Sequence, residues 1–283
     1  MTGRLPVTLP PLRGELLSSW ISRHADFYGV TPLTMLRHGL PEATSVGAID
    51  LSLTKAQANR IAGMFGVGPK RIRSLSFADA PKAAHRFIAK SPMQLCARCH
   101  QTDVGPPPVL RSELQGWRIT CPHCGEPFKD KTTSHGKRTL APYRAAARRG
   151  ETLLHNHAEC GVETWLPPLQ IARLLLMRRI PWPLPRDCDF WRYRLLGAIV
   201  PDIDALLAKE TAFPFSPKHP ILPLYIRPAL LAGVAIIDRA GPPMLKLLQG
   251  HMMGDNKNRF AMATEPLIAP ALDWGPPRQF QLI

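Results

Sequence analysis

Apolar positions recur at helical spacing along most of the chain, and prolines and glycines break the pattern into short segments. Leu16, Leu17, Trp20 and Ile21 fall at i, i+1, i+4 and i+5, which places them on one face of a helix within residues 14–25. Gly29 is a natural left-handed stop for that helix. Thr31-Pro32 then restarts the chain as a helix, with Thr31 as N-cap and Pro32 in the first turn, running over Leu33, Met35 and Leu36 to Gly39. The pattern recurs thirty-seven residues on. Ala25, Tyr28, Gly29, Val30, Pro32 and Met35 align with Ala62, Phe65, Gly66, Val67, Pro69 and Ile72. In the second copy Leu53-Thr54 leads into a helix over Lys55–Phe65, and Pro69–Ser74 follows with Lys70, Arg71 and Arg73. Two helices joined by a tight turn, the second carrying basic residues, have the shape of a major-groove reader. A plain helical hairpin packed on its twin is the alternative, and it suits the first copy better, whose second helix has only Arg37 and His38.

Beyond residue 167 the same reading gives more helices separated by prolines. Pro168–Arg179 has a stripe of Leu169, Ala172, Leu175 and Leu176. Phe190–Ala208, Pro228–Arg239 and Pro243–Met253 are the further candidates, Phe213–Pro223 is a loop, and the tail after Pro266 is expected to be irregular. The 31 prolines argue against a large central sheet. The expected fold is therefore mainly α: an N-terminal helix–turn–helix-like module (1–90), a central zinc ribbon (91–130), a basic linker (131–165) and a C-terminal helical domain (166–283). The most apolar run, Ala229–Ile237, is far shorter than the roughly 20 residues of a membrane span. Met1-Thr2-Gly3-Arg4 leads into Leu5-Pro6 rather than an apolar signal core, so a cytoplasmic protein with no membrane partner is expected.

The ribbon assignment rests on Cys96-Ala97-Arg98-Cys99 and Cys121-Pro122-His123-Cys124-Gly125. Each Cys-x-x-Cys turn presents two sulfurs, and two such turns close a tetrahedron around Zn²⁺ at about 2.3 Å per bond. Four unrelated buried cysteines, or a redox dithiol, are the competing readings. A redox motif gives no reason for a second pair. Val109–Arg111 and Trp117–Thr120 read as the two short strands of the ribbon, with Trp117 over the metal site. A four-thiolate site is closed and leaves no position for a reactive water. His155, His157 and Cys160 make a weaker candidate for a second metal, with no firm fourth ligand, and Cys188 is a lone thiol.

Charge adds a partner to this picture. The chain has 36 Lys+Arg against 21 Asp+Glu, a net charge of +15 on 283 residues, which points to a polyanion, most simply nucleic acid, with double-stranded DNA the expected partner of the helix–turn–helix. Lys129, Lys131, Lys137, Arg138, Arg144, Arg148 and Arg149 form a run with no acidic residue between Asp130 and Glu151. Part of that run, Pro142–Arg149, reads as a short helix. Together with Lys70, Arg71 and Arg73 these are the candidate nucleic-acid contacts; a solvated basic face is the bland alternative. The motif search for an enzyme fails: there is no Gly-x-x-x-x-Gly-Lys-(Ser/Thr), no His-Glu-x-x-His and no Gly-x-Ser-x-Gly.

The opening block, Pro11-Leu12-Arg13-Gly14-Glu15-Leu16-Leu17-Ser18-Ser19-Trp20-Ile21-Ser22-Arg23, followed by Cys96/Cys99 and by Trp117 before Cys121/Cys124, resembles the TniQ/TnsD-type transposition proteins over about residues 5–128. The resemblance implies a non-enzymatic adaptor that links target recognition to an AAA+ transposition ATPase, recognising its target by direct DNA binding or through an RNA-guided complex. A homodimer is compatible with it. Many members carry a further Cys-x-x-His-Gly pair before the last knuckle, which suggests a second metal. Here no such pair precedes His123, so one zinc is expected. A stand-alone DNA-binding regulator with the same helix–turn–helix and ribbon is the alternative.

Overall fold

The computed structural model describes residues 3–100, 107–130, 141–179, 194–201, 203 and 216–272. Lys131, Lys137, Arg138 and Cys188 lie outside these residues, as does most of the helix expected over Phe190–Ala208. By contact the chain divides into Met1–Ser134 and His135–Ile283, so the cysteine region belongs to the same compact unit as the N-terminal helices.

In the first unit α1 (Leu17–Phe27) and α2 (Pro32–Gly39) form one helical pair, and α4 (Lys55–Phe65) and α5 (Pro69–Ser74) form its twin, with the short α3 (Ala48–Leu51) between them. The two copies use the same helix stop. Val30 N–H donates to the Ala25 carbonyl at 2.9 Å, and Val67 N–H donates to the Ala62 carbonyl at 3.0 Å, around Gly29 (φ +65°) and Gly66 (φ +66°). This six-to-one bond is the Schellman arrangement, and it explains why Ala, Gly and Val recur at those positions. Thr31 caps α2 by accepting from Thr34 N–H at 3.1 Å, and Thr54 with Gln57 makes a reciprocal capping box on α4. The shared core is apolar: Leu17, Trp20, Ile21, Leu36, Ile61, Phe65 and Ile72 are all fully buried. Trp20 and Phe65 stack at 4.3 Å between ring centroids.

α1 is shorter than its apolar pattern predicts. Gly14 takes a left-handed φ of +73° and Glu15 pairs with Leu110, so the helix begins at Leu17. Leu16, its N-cap, has no side chain that can accept a hydrogen bond. The free N–H groups of this helix end are met from distant residues instead: Leu16 by the Val109 carbonyl, Leu17 by the Leu75 carbonyl and Ser18 by the Asp50 carboxylate, each at 2.9 Å.

Strand pairing in the cysteine region also differs from the sequence reading. Gln94–Leu95 (β1) pairs antiparallel with Lys129–Asp130 (β2), flanking the two knuckles from outside. Of the segments expected as strands, Leu110 bridges Glu15, residues 111–113 turn into a 3₁₀ helix, and Thr120 bridges Pro127. The Gly14–Leu16 edge competes for Val109–Arg111 and wins it.

The second unit is built around α9 (Arg227–Ala240), which contacts α6 (Arg144–Cys160), α7 (Pro168–Leu175), α8 (Leu196–Ile199) and α10 (Pro242–Gly250). Ala229 to Ala235 and Ile237 are buried all round, as befits a helix at the centre of a bundle. α6 crosses it so closely that a Cβ on Gly150 would lie 2.6 Å from the Leu231 carbonyl carbon. Arg144–Cys160 is thus a 17-residue helix where a basic linker with one short helix was expected. The expectation of an irregular tail after Pro266 is likewise corrected as far as Leu272, the rest of the tail lying outside the described residues. α11 runs Asp255–Leu272, held through Pro266 by buried Phe260 and Thr264, whose hydroxyl donates to the Phe260 carbonyl at 2.9 Å.

Candidate metal centre and basic surfaces

The first knuckle closes with His100 N–H donating to the Cys96 carbonyl at 2.9 Å and Cys99 N–H to the Cys96 sulfur at 3.5 Å. The second closes with Gly125 N–H on the Cys121 carbonyl at 2.9 Å, Gly125 taking φ +77°. These turns bring all four sulfurs within 4.8 Å of one another. Cys96 and Cys124 are 3.4 Å apart and Cys99 and Cys121 3.7 Å, far too long for the about 2.05 Å of a disulfide. They are close to the roughly 3.8 Å edge of a sulfur tetrahedron with 2.3 Å arms. Burial, with the neighbouring sulfurs, pushes the Cys99 thiol up, and burial does the same at Cys121, whereas the Glu126 backbone N–H pulls Cys124 down. Crowded thiols of this kind ionise together only when a cation neutralises them, so the donor set fits a thiophilic metal. Among the described residues this is the one group of three or more His, Cys, Asp or Glu side chains close enough to share an ion. His155, His157 and Cys160 form no such group. His157 is buried, with Nδ1 3.3 Å from the Val162 carbonyl, and Cys160 is exposed.

The opening block supports this centre. Glu15 is fully buried. Its Oε1 accepts from Arg23 Nε at 2.7 Å and Ser19 Oγ at 3.2 Å, and its Oε2 accepts from Arg23 Nη2 at 2.8 Å and Leu12 N–H at 2.9 Å. Ser19 Oγ in turn accepts from Val109 N–H at 2.9 Å, and Arg111 N–H donates to the Gly14 carbonyl at 2.8 Å. The segment between the knuckles is thereby fixed to α1. Gly14 also admits His123 of the second knuckle: a Cβ there would lie 2.5 Å from its Nε2. Burial, with Arg13 and Arg118 nearby, pulls the His123 pKa down. The Glu15–Arg23 pair was not identified from sequence as a contact. The available signal was Glu15, Ser19 and Arg23 at i, i+4 and i+8, one stripe of a helix.

The basic candidates divide into tied and free-standing side chains. Lys70 and Arg71 are exposed on α5. Arg73 is not: it forms an ion pair with Asp79 and donates from Nη1 to the Leu53 carbonyl at 3.1 Å. Lys129 is exposed on β2. Arg144, Arg148 and Arg149 are exposed in the first turns of α6, where no acidic residue offsets the positive end of the helix dipole. Arg149 comes within 3.8 Å of Asp238. No helix among the described residues is long and apolar enough to cross a membrane.

Paired helix–turn–helix units closed by a four-cysteine clamp define a small, mostly helical, metal-binding class of protein. The family model TniQ matches residues 6–126, a span that opens in the Pro6–Leu12 lead-in and ends just past the second knuckle. The chain therefore carries a TniQ domain, and the match covers less than half of its length. The TniQ family is one of transposition-associated adaptors. No curated protein and no solved structure matches the chain.

Proposed function

We propose that this protein is a non-catalytic transposition adaptor that binds one zinc ion through Cys96, Cys99, Cys121 and Cys124, engages duplex DNA with its exposed basic side chains, and recruits an AAA+ transposition ATPase. The observation that carries the reading is the TniQ domain itself, with its four sulfurs at tetrahedral spacing. The first DNA candidates are Lys70 and Arg71 on α5 and Arg144, Arg148 and Arg149 on α6. Arg73 acts as a brace, since its guanidinium is spent on Asp79 and the Leu53 carbonyl. Lys129 and the neighbouring Lys131, Lys137 and Arg138 complete the set. Zinc in a closed thiolate site holds shape and does no chemistry. An RNA-guided targeting complex is a second route to the same target.

The test is co-purification with an AAA+ transposition ATPase from the protein's own cell, in the presence of DNA, together with metal analysis. One zinc per chain and a DNA-stimulated complex with the ATPase are expected. Sequence-specific operator binding with no ATPase association would replace the adaptor by a stand-alone regulator that uses the same helix–turn–helix and net charge of +15.

A further inference from the structure

The two helical pairs share a turn but not its covering. On the second copy the N-terminal lead-in lies across the end of α4. Leu5 N–H donates to the Met64 carbonyl at 2.8 Å, and Thr8 Oγ donates to the Phe65 carbonyl at 2.9 Å. The Arg4 guanidinium sits over Gly66: a Cβ there would lie 2.5 Å from its Cζ. A cation at that place also meets the negative end of the α4 dipole. At the corresponding end of α1 the lead-in meets only a side chain: the Tyr28 hydroxyl accepts from Val7 N–H and donates to the Val7 carbonyl, each at 2.8 Å, while the turn's backbone is left uncovered. The equivalents of Met64, Phe65, Gly66 and Val67 are Phe27, Tyr28, Gly29 and Val30. Nothing lies within 4 Å of a Cβ placed on Gly29. Met64 is fully buried, whereas Phe27 is 54% exposed and Val30 40%. Asp26, exposed beside this turn, makes it more acidic than its twin, which has Gly63 there.

We propose that the open turn of the first copy, Asp26–Val30, receives an extended, arginine-bearing peptide segment of a partner protein, bound as Arg4–Thr8 is bound on the second copy. The chemistry of the occupant follows from the covered twin. It brings an arginine for the helix end and Asp26, an apolar residue against Phe27 and Val30, and N–H or hydroxyl donors for the Phe27 and Tyr28 carbonyls. Charge complementarity and an exposed aromatic anchor favour a basic segment over an acidic one. None of its residues is among the basic residues assigned to DNA, so it stands or falls without that assignment.

The probe is a labelled peptide with the chain's own lead-in, Gly3-Arg4-Leu5-Pro6-Val7-Thr8-Leu9, titrated against the full-length protein and followed by fluorescence anisotropy. Saturable binding is expected, weakened about tenfold by Phe27→Ser and by Asp26→Lys, and lost when the peptide's arginine is replaced by glutamate. Lys70→Glu with Arg71→Glu should leave it unchanged. Both exposed-site variants should keep the wild-type thermal midpoint, which separates lost docking from lost folding. Absence of saturable binding would overturn the proposal. So would binding that ignores both Phe27 and Asp26, because the peptide would then be exchanging with the lead-in on α4.

Discussion

The two compact units hold themselves together by different means. In the first, directional polar contacts tie segments far apart in sequence. Leu9 N–H donates to His24 Nε2 at 2.9 Å, Trp20 Nε1 donates to the Leu9 carbonyl at 2.9 Å, and Arg23 bridges Glu15 and the Pro10 carbonyl. Four cysteines close the far end. In the second, one apolar helix is surrounded by others, and the closest approach is of backbone to backbone at Gly150. The first unit should therefore fail through loss of a metal or a charge partner, and the second through loss of volume fit. A module whose segments must hold an exact relation gains more from directional bonds than from apolar contact, which tolerates sliding.

The comparison can be broken most forcefully at the metal. Chelation, or Cys124→Ser, should abolish metal binding and unfold the cysteine region while the second unit keeps its helicity. Structural zinc contributes on the order of 10 kcal/mol, so the loss should be complete by near-ultraviolet circular dichroism and metal analysis. The mirror experiment is Gly150→Val, which should destabilise the second unit by about 4 kcal/mol or more, because the Leu231 backbone blocks any side chain there. It should leave zinc stoichiometry untouched. Denaturant unfolding of each variant reads both outcomes, and matched losses in both units would remove the distinction.

Glu15→Ala should cost about 3–5 kcal/mol by leaving the Arg23 guanidinium and two further donors without their acceptor, and proteolysis should then reach the 107–111 segment first. Asp50 gives a pH test of the same polar framework. Burial raises its pKa from 3.8 to about 6, against the pull of the Ser18 N–H. A raised pKa means that its contribution favours the fold below 3.8 and is lost as pH rises through 6. Asp50→Asn keeps an acceptor for Ser18 and removes the buried charge, so at pH 8 it should stabilise by on the order of 2–3 kcal/mol. His24 works in the opposite direction. Burial lowers its pKa, so its contribution is present above 6.5 and is lost on acidification. The Asp50→Asn protein should thus lose stability more steeply than wild type between pH 6.5 and 4 in urea titrations. The smallest effect on stability, near zero, is expected for Lys70→Glu with Arg71→Glu, since both residues are exposed. That pair should instead reduce the salt slope of DNA binding by about 1.8; an unchanged slope would remove α5 from the DNA surface.

Much of this was legible in the linear pattern because the physics is local. The glycine stops, the Thr31 and Thr54 caps and the recurrence of Ala, Gly and Val are set within six residues, and the two cysteine turns within four. Helix extent was less legible where packing overrode local punctuation. α6 continues to Cys160 because Gly150 and Leu154 meet the second unit's core, and α11 passes Pro266 because Phe260 is buried. Arg73 read as a free cation until Asp79 and the Leu53 carbonyl lay beside it.

The sequence by itself determined the mostly helical class, the twin helical pairs, the four-cysteine donor set and the excess positive charge, each a matter of residue type at short spacing. Only the tertiary structure decided what each charged or exposed residue is for. Leu16 cannot cap α1, so the cap comes from Asp50, Leu75 and Val109. Glu15 is spent on Arg23 rather than on a ligand, and the backbone of one twin turn is covered while that of the other is open. Such assignments depend on which groups meet after the chain has closed on itself, and no local preference encodes that.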